Sequence, residues 1–156
     1  IMWVGAAVML TFFITPAVRS TNETGQKFMR YLLQNTSFNK FILNVALLTA
    51  AAGLILYGID SSWFTSGWMS SGPGIGFGLG GIFGLTGLYF GLKINRNSKK
   101  LMQLSEQIQE NGNPPTGAQH VVIQSLQAKL KTDGMLNAVF LLLASILMAT
   151  SRFFVF

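Results

Sequence analysis

Cysteine is absent from the 156-residue chain, histidine occurs once, and five residues are acidic. The first absence removes disulfides, thiolate metal sites, iron–sulfur clusters and cysteine nucleophiles. The single histidine excludes a multi-histidine metal centre or a bis-histidine haem site within this chain. Charged residues make up 10% of the sequence against 50% hydrophobic. A soluble domain carries about 25% charge, so this chain has too little to wet its own surface. The same proportions exclude disorder, which goes with few apolar residues and many charges. With a mean hydropathy of +0.46, the composition is that of a membrane protein.

The charges that are present fall in clusters. Arg19, Lys27, Arg30 and Lys40 form one basic group; Lys93, Arg96, Lys99, Lys100, Lys129 and Lys131 form a second; Arg152 stands alone. Residues 1–18 and 134–151 carry no charge, and the 52 residues 41–92 carry only Asp60. A helical span takes about 20 apolar residues, so the middle run holds two spans and a turn. We expect an all-α, single-domain membrane protein with four transmembrane helices, at about 1–18, 41–59, 74–92 and 135–154, because helices satisfy their own backbone in lipid. The positive-inside rule puts 19–40 and 93–133 in the cytoplasm and both chain ends and the 60–73 turn outside, a multi-pass arrangement in a bacterial inner membrane. Trp63 and Trp68 in the turn, with Trp3 near the outer end of the first span, suit the headgroup level. Bases that flank spans point to the lipid bilayer and its anionic headgroups as the partner, and not to nucleic acid. The chain opens on Ile1 inside an apolar run, so the native start is expected earlier. Arg19 follows that run instead of preceding it, which argues against a signal peptide.

Along the chain, Pro16 marks a kink or stop in the first helix. Phe28, Tyr31 and Leu32 share one helical face, which suits either a short amphipathic helix at the interface or a plain connecting helix. Asn22-Glu23-Thr24 and Asn35-Thr36-Ser37 match the glycosylation tripeptide but lie on the expected cytoplasmic side. Gly76, Gly78 and Gly81 match a dinucleotide fingerprint by spacing, yet no strand precedes them and no acid stands at the required distance. A physical reading fits better: Gly80, Gly84, Gly87 and Gly91 recur at four, three and four, forming one stripe where another helix backbone approaches closely. The partner in that contact is either a helix of this chain or one of another subunit. Beyond Leu92 the helical register continues, and Leu101, Leu104 and Ile108 mirror Val122, Ile123, Leu126 and Leu130 across the break at Asn113-Pro114-Pro115, with Thr116 a cap for the next helix. Helices three and four therefore extend into a cytoplasmic antiparallel helical hairpin, about 93–133.

Reactive constellations are missing. His120 near the hairpin tip reads as a surface residue, and the seven methionines are scattered, as gap-fillers are. No nucleophile–base set, phosphate loop or carboxylate pair is present, so no catalytic residue, metal site or cofactor is expected and the chain is not read as an enzyme. Polar contacts between spans are expected from Asn44 and Asn137, and from Asp60 with Arg152, an ion pair at one membrane face.

Ile1-Met2-Trp3-Val4-Gly5, Pro16-Ala17, Trp68-Met69-Ser70-Ser71-Gly72-Pro73-Gly74, Asn113-Pro114-Pro115-Thr116 and Ala149-Thr150-Ser151-Arg152-Phe153 together resemble small uncharacterised bacterial integral membrane proteins, copper-resistance-D-like in style. The resemblance implies a four-helix membrane fold. In such proteins a histidine often precedes the Trp-x-Gly step; here the chain begins after that point, so no ligand role passes to a residue present. The expectation is a non-catalytic accessory or structural subunit of a larger bacterial membrane complex, respiratory or photosynthetic. The alternative is a small transporter or metal or cofactor carrier, with Asn44, Asn137, Asp60 and Arg152 along a path between helices. A pigment- or haem-binding protein is a third reading.

Overall fold

The computed structural model describes residues 2–34, 36–64, 67–110 and 116–154. The 111–115 turn signal and Asn35 lie outside the described residues. All regular elements are helical: α1 Met2–Val8, a π-helical segment Met9–Ile14, α2 Thr15–Ser20, α3 Asn22–Gln34, α4 Phe38–Asp60, a 3₁₀ turn Gly67–Ser70, α5 Gly72–Glu110, α6 Gly117–Thr150 and a closing 3₁₀ turn Ser151–Phe153. Among the described residues three helices are long and apolar enough to cross a membrane, namely α4 and stretches of α5 and α6, while the apolar run Met2–Val18 is shorter.

α5 is unbroken for 39 residues, as the absence of proline between Pro73 and Pro114 allows. α6 starts on a capping box. The Thr116 hydroxyl accepts from the Gln119 N–H, and the Gln119 carboxamide oxygen accepts from the Thr116 N–H at 2.8 Å. Two otherwise orphaned donors are thereby satisfied. α5 and α6 run antiparallel and make the main interface of the fold; α4 lies on α5, and α1 lies on α6 and α4.

The first apolar stretch is interrupted just before Pro16, where a kink or stop is expected, by the π-helical segment. Proline has no N–H, and its ring crowds the carbonyl four residues back. The chain meets this with a wider turn: both the N–H and the hydroxyl of Thr15 reach the Leu10 carbonyl, five residues back, the hydroxyl at 2.6 Å. Pro16 then sits in the first turn of α2, where its missing donor is harmless. Trp3 is also not where tryptophan preference alone puts it. It is buried, and it lines a small cavity with Asn39 and Asn95, at the end of the bundle that carries the basic residues. Trp63 and Trp68 lie at the other end. Packing against Ala46 and Leu88 holds the Trp3 ring there in place of a headgroup.

At that other end, Tyr57 meets Trp68 edge-on at 5.5 Å and Trp68 stacks on Phe77 at 6.4 Å. These contacts tie the end of α4 to the start of α5. Between them Ser62, Trp63 and Phe64 all take left-handed backbone, φ 49°, 57° and 69°, which costs about 1–2 kcal/mol per residue. Hydrogen bonds hold the turn: the Trp63 N–H donates to the Gly58 carbonyl at 2.7 Å, and the Phe64 N–H to the Ser61 hydroxyl at 3.1 Å.

Thr116→Ala removes the cap of α6 and is expected to cost about 1 kcal/mol. Hydrogen exchange should then speed up in the first turn of α6 while the Gly87–Leu141 region stays protected.

Candidate functional site

The site grows out of a seam without side chains. Along α5, Gly72, Gly76, Gly80, Gly84, Gly87 and Gly91 fall on one face, and α6 lies directly against it. A Cβ at Gly76 would stand 2.7 Å from the Ser151 Cβ, one at Gly80 2.7 Å from the Met148 Cγ and 3.3 Å from the Ala144 carbonyl, and one at Gly87 2.7 Å from a Leu141 methyl. Gly72 meets the Phe154 backbone itself. Opposite them stand Asn137, Leu141, Ala144 and Met148 on α6 and Ser151 at the start of the closing turn, recurring at four, three, four and three. Helices in lipid gain nothing from excluding water, so close van der Waals contact of this kind is what holds them together. Of the four glycines expected in the stripe, Gly80, Gly84, Gly87 and Gly91, each is placed towards α6 of the same chain. Phe140 closes one side of the seam between Phe83 and Phe90, both at 5.8 Å.

The seam ends in polar groups at the basic end. Lys93, one residue beyond the apolar run, donates to Asp133 Oδ1 at 2.8 Å. Asp133 is buried at 3% exposure and Asn137, one turn further along α6, at 7%. Asp133 Oδ2 and Asn137 Oδ1 have no hydrogen-bond partner among the described residues. Next to Asp133, the Gly134 carbonyl accepts from the Thr11 hydroxyl at 3.3 Å, joining the π-helical segment to α6. On the α4 side the Asn39 amide donates to Asn95 Oδ1 at 2.8 Å. Beside that bond lies a cavity of about 50 Å³, walled by Trp3, Ala46, Leu88 and Gly91 among others. The Asp133 hydrogen bond raises the Lys93 pKa above the usual lysine range, desolvation works against it, and the carboxylate charge adds to the rise.

The sequence-derived polar residues do not converge. Asn137 alone is buried between helices. Asn44 faces outward from α4, in a groove with Leu47, Leu48 and Ala51. Asp60 and Arg152 are both exposed, and no ion pair joins them; the Arg152 guanidinium lies 4.9 Å over the Phe153 ring. The reason is adjacency: α4 packs on α5 and α1, not along α6, so two charges at the same end of the bundle are not neighbours. His120 is exposed near the start of α6. Among the described residues no group of three or more His, Cys, Asp or Glu side chains forms a metal site.

Sequence reasoning missed Lys93–Asp133, Thr11 and Asn39–Asn95. One signal was available: Lys93 and Asp133 lie 20 residues either side of Asn113, and an antiparallel hairpin turning there must bring them level.

Two outcomes are expected. Gly87→Leu, which drives carbon into Leu141, should destabilise by about 1–3 kcal/mol, whereas Gly84→Ala, whose Cβ meets only the Ala144 Cβ at 4.0 Å, should be neutral or stabilising in a denaturation series in detergent. The Lys93 contribution is present below the unfolded lysine value of about 10.4 and is lost as pH rises through the higher folded value. Alkaline unfolding should therefore show a step in this range that Lys93→Gln removes. No family model, curated protein or solved structure matches this chain.

Proposed function

We propose that the protein is a non-catalytic accessory subunit of a larger bacterial membrane assembly, crossing the inner membrane four times with a cytoplasmic hairpin formed by the far ends of α5 and α6. In this reading the basic residues around Lys40, Lys93 and Lys131 mark the cytoplasmic face, and the apolar run Met2–Val18, with Trp3 and Thr11 both toward that face, belongs to the cytoplasmic end of the first span. The assembly is an energy-transducing one, respiratory or photosynthetic, and its other membrane subunits are the partners.

The single observation that carries this reading is Asn44. Its amide sits outward on an apolar helix with no hydrogen bond to the described residues, in a groove shaped by Leu47, Leu48 and Ala51. An amide left facing hydrocarbon is costly, and a neighbouring helix is the usual source of its hydrogen bonds in lipid. Much of α4 is exposed: of its 23 residues only Ala46 and Gly58 are buried. The small residues Ala50 to Gly53 add a surface on which another helix backbone fits closely. A transport path has less support, because Asn44, Asp60 and Arg152 face outward and not toward one another.

Asn44→Leu makes this face fully lipid-compatible. Purified from native membranes in a mild detergent, the parent chain is expected to migrate with other subunits, and the Asn44→Leu chain to lose them while keeping its own unfolding midpoint. Migration of the parent as a lone small protein would refute the proposal.

A further inference from the structure

We propose that Asn137 and Asp133 hold a bound water between α5 and α6, in the space that Gly91 leaves open. Both unpartnered oxygens are acceptors, both belong to side chains more than nine-tenths buried, and they stand one turn apart on the same face of α6. Residues at this spacing lie about 5–6 Å apart at Cβ, so one donor with two hydrogens can serve both. The Asn137 oxygen points at the glycine stripe: it would lie 3.7 Å from a Cβ at Gly87 and 3.8 Å from one at Gly91, and it is the sole neighbour within 4 Å at Gly91. A buried water needs about two to four polar partners, and the two oxygens supply two.

Charge selects the occupant. Asp133 already has its counter-ion in Lys93 at 2.8 Å, so a metal cation would add an unbalanced charge beside an ammonium. A neutral double donor satisfies both oxygens without one. The water extends the polar link at the basic end, from Lys93 through Asp133 to Asn137, one turn deeper into the seam. The glycine at position 91 is thereby explained by the solvent it admits, in contrast to Gly80 and Gly87, which admit α6 itself.

The test is a double-mutant cycle on the full chain in detergent micelles, read as the denaturation midpoint. Gly84→Ala, on the same stripe, reports the gain in helix propensity alone. Gly91→Ala should displace the water and strand an acceptor, shifting the folding equilibrium about tenfold against the fold. In an Asn137→Leu background it should instead behave like Gly84→Ala. Equal effects of Gly91→Ala in both backgrounds would overturn the proposal. So would stabilisation by sodium chloride over choline chloride at equal ionic strength that Asn137→Leu abolishes, because the occupant would then be a cation. A high-resolution experimental map supplies the second readout, independent of any variant. Density within hydrogen-bond distance of Asp133 Oδ2 and Asn137 Oδ1 supports the site, and protein atoms filling that position refute it.

Discussion

Everything else in this fold depends on the contact between a helix face without side chains and the helix that lies on it. In water, burying leucine drives two helices together. In lipid that drive is absent, and attraction comes from the number of atoms brought within van der Waals range. α5 maximises it by removing Cβ atoms at every turn from Gly72 to Gly91. α6 answers with Leu141, Ala144 and Met148, and the closing turn with Ser151, which reach the bare backbone. Glycine weakens a helix by about 1 kcal/mol relative to alanine, so the stripe has a local cost that only the gain at the seam offsets.

The polar cluster follows from the same geometry. Where the glycine stripe meets the basic end, the close approach of α5 and α6 brings Lys93 level with Asp133, and Gly91 opens the space faced by Asn137. A buried carboxylate and a buried amide are expensive alone; here one oxygen of Asp133 has an ammonium, and Thr11 ties the adjacent Gly134 carbonyl to the first apolar stretch. Such a cluster gives register: sliding α6 by one turn on α5 would separate Lys93 from Asp133. Asn44, exposed on α4, is the opposite case, a polar group with no hydrogen bond to the described residues.

Much of this was legible in the residues. Charge-free runs between lysine clusters marked α4 and the apolar halves of α5 and α6. The recurrence of Gly80, Gly84, Gly87 and Gly91 gave the face, and Thr116 gave the start of α6. The failures share one cause. Placing Asp60 with Arg152 assumed that residues at one end of a bundle are neighbours, but helix adjacency is set by packing, and α4 rests on α5 and α1. Placing Trp3 at a headgroup rested on tryptophan preference and the expected outer end of the first span, whereas the ring is buried against Ala46 and Leu88. Pattern reports what a helix wants on its surface; which helix it touches depends on shape, which only three dimensions supply.

Because the chain has no cysteine of its own, the seam can be measured directly by introducing two. A Cβ at Gly84 would lie 4.0 Å from that of Ala144, within the 3.5–4.5 Å span of a disulfide, whereas a Cβ at Gly81 has nothing within 4 Å. The account predicts that Gly84→Cys with Ala144→Cys oxidises to an intramolecular disulfide in native membranes, while Gly81→Cys with Ala144→Cys does not. Absence of the first cross-link, or its formation only between chains, would contradict the account by showing that the glycine stripe faces something other than α6.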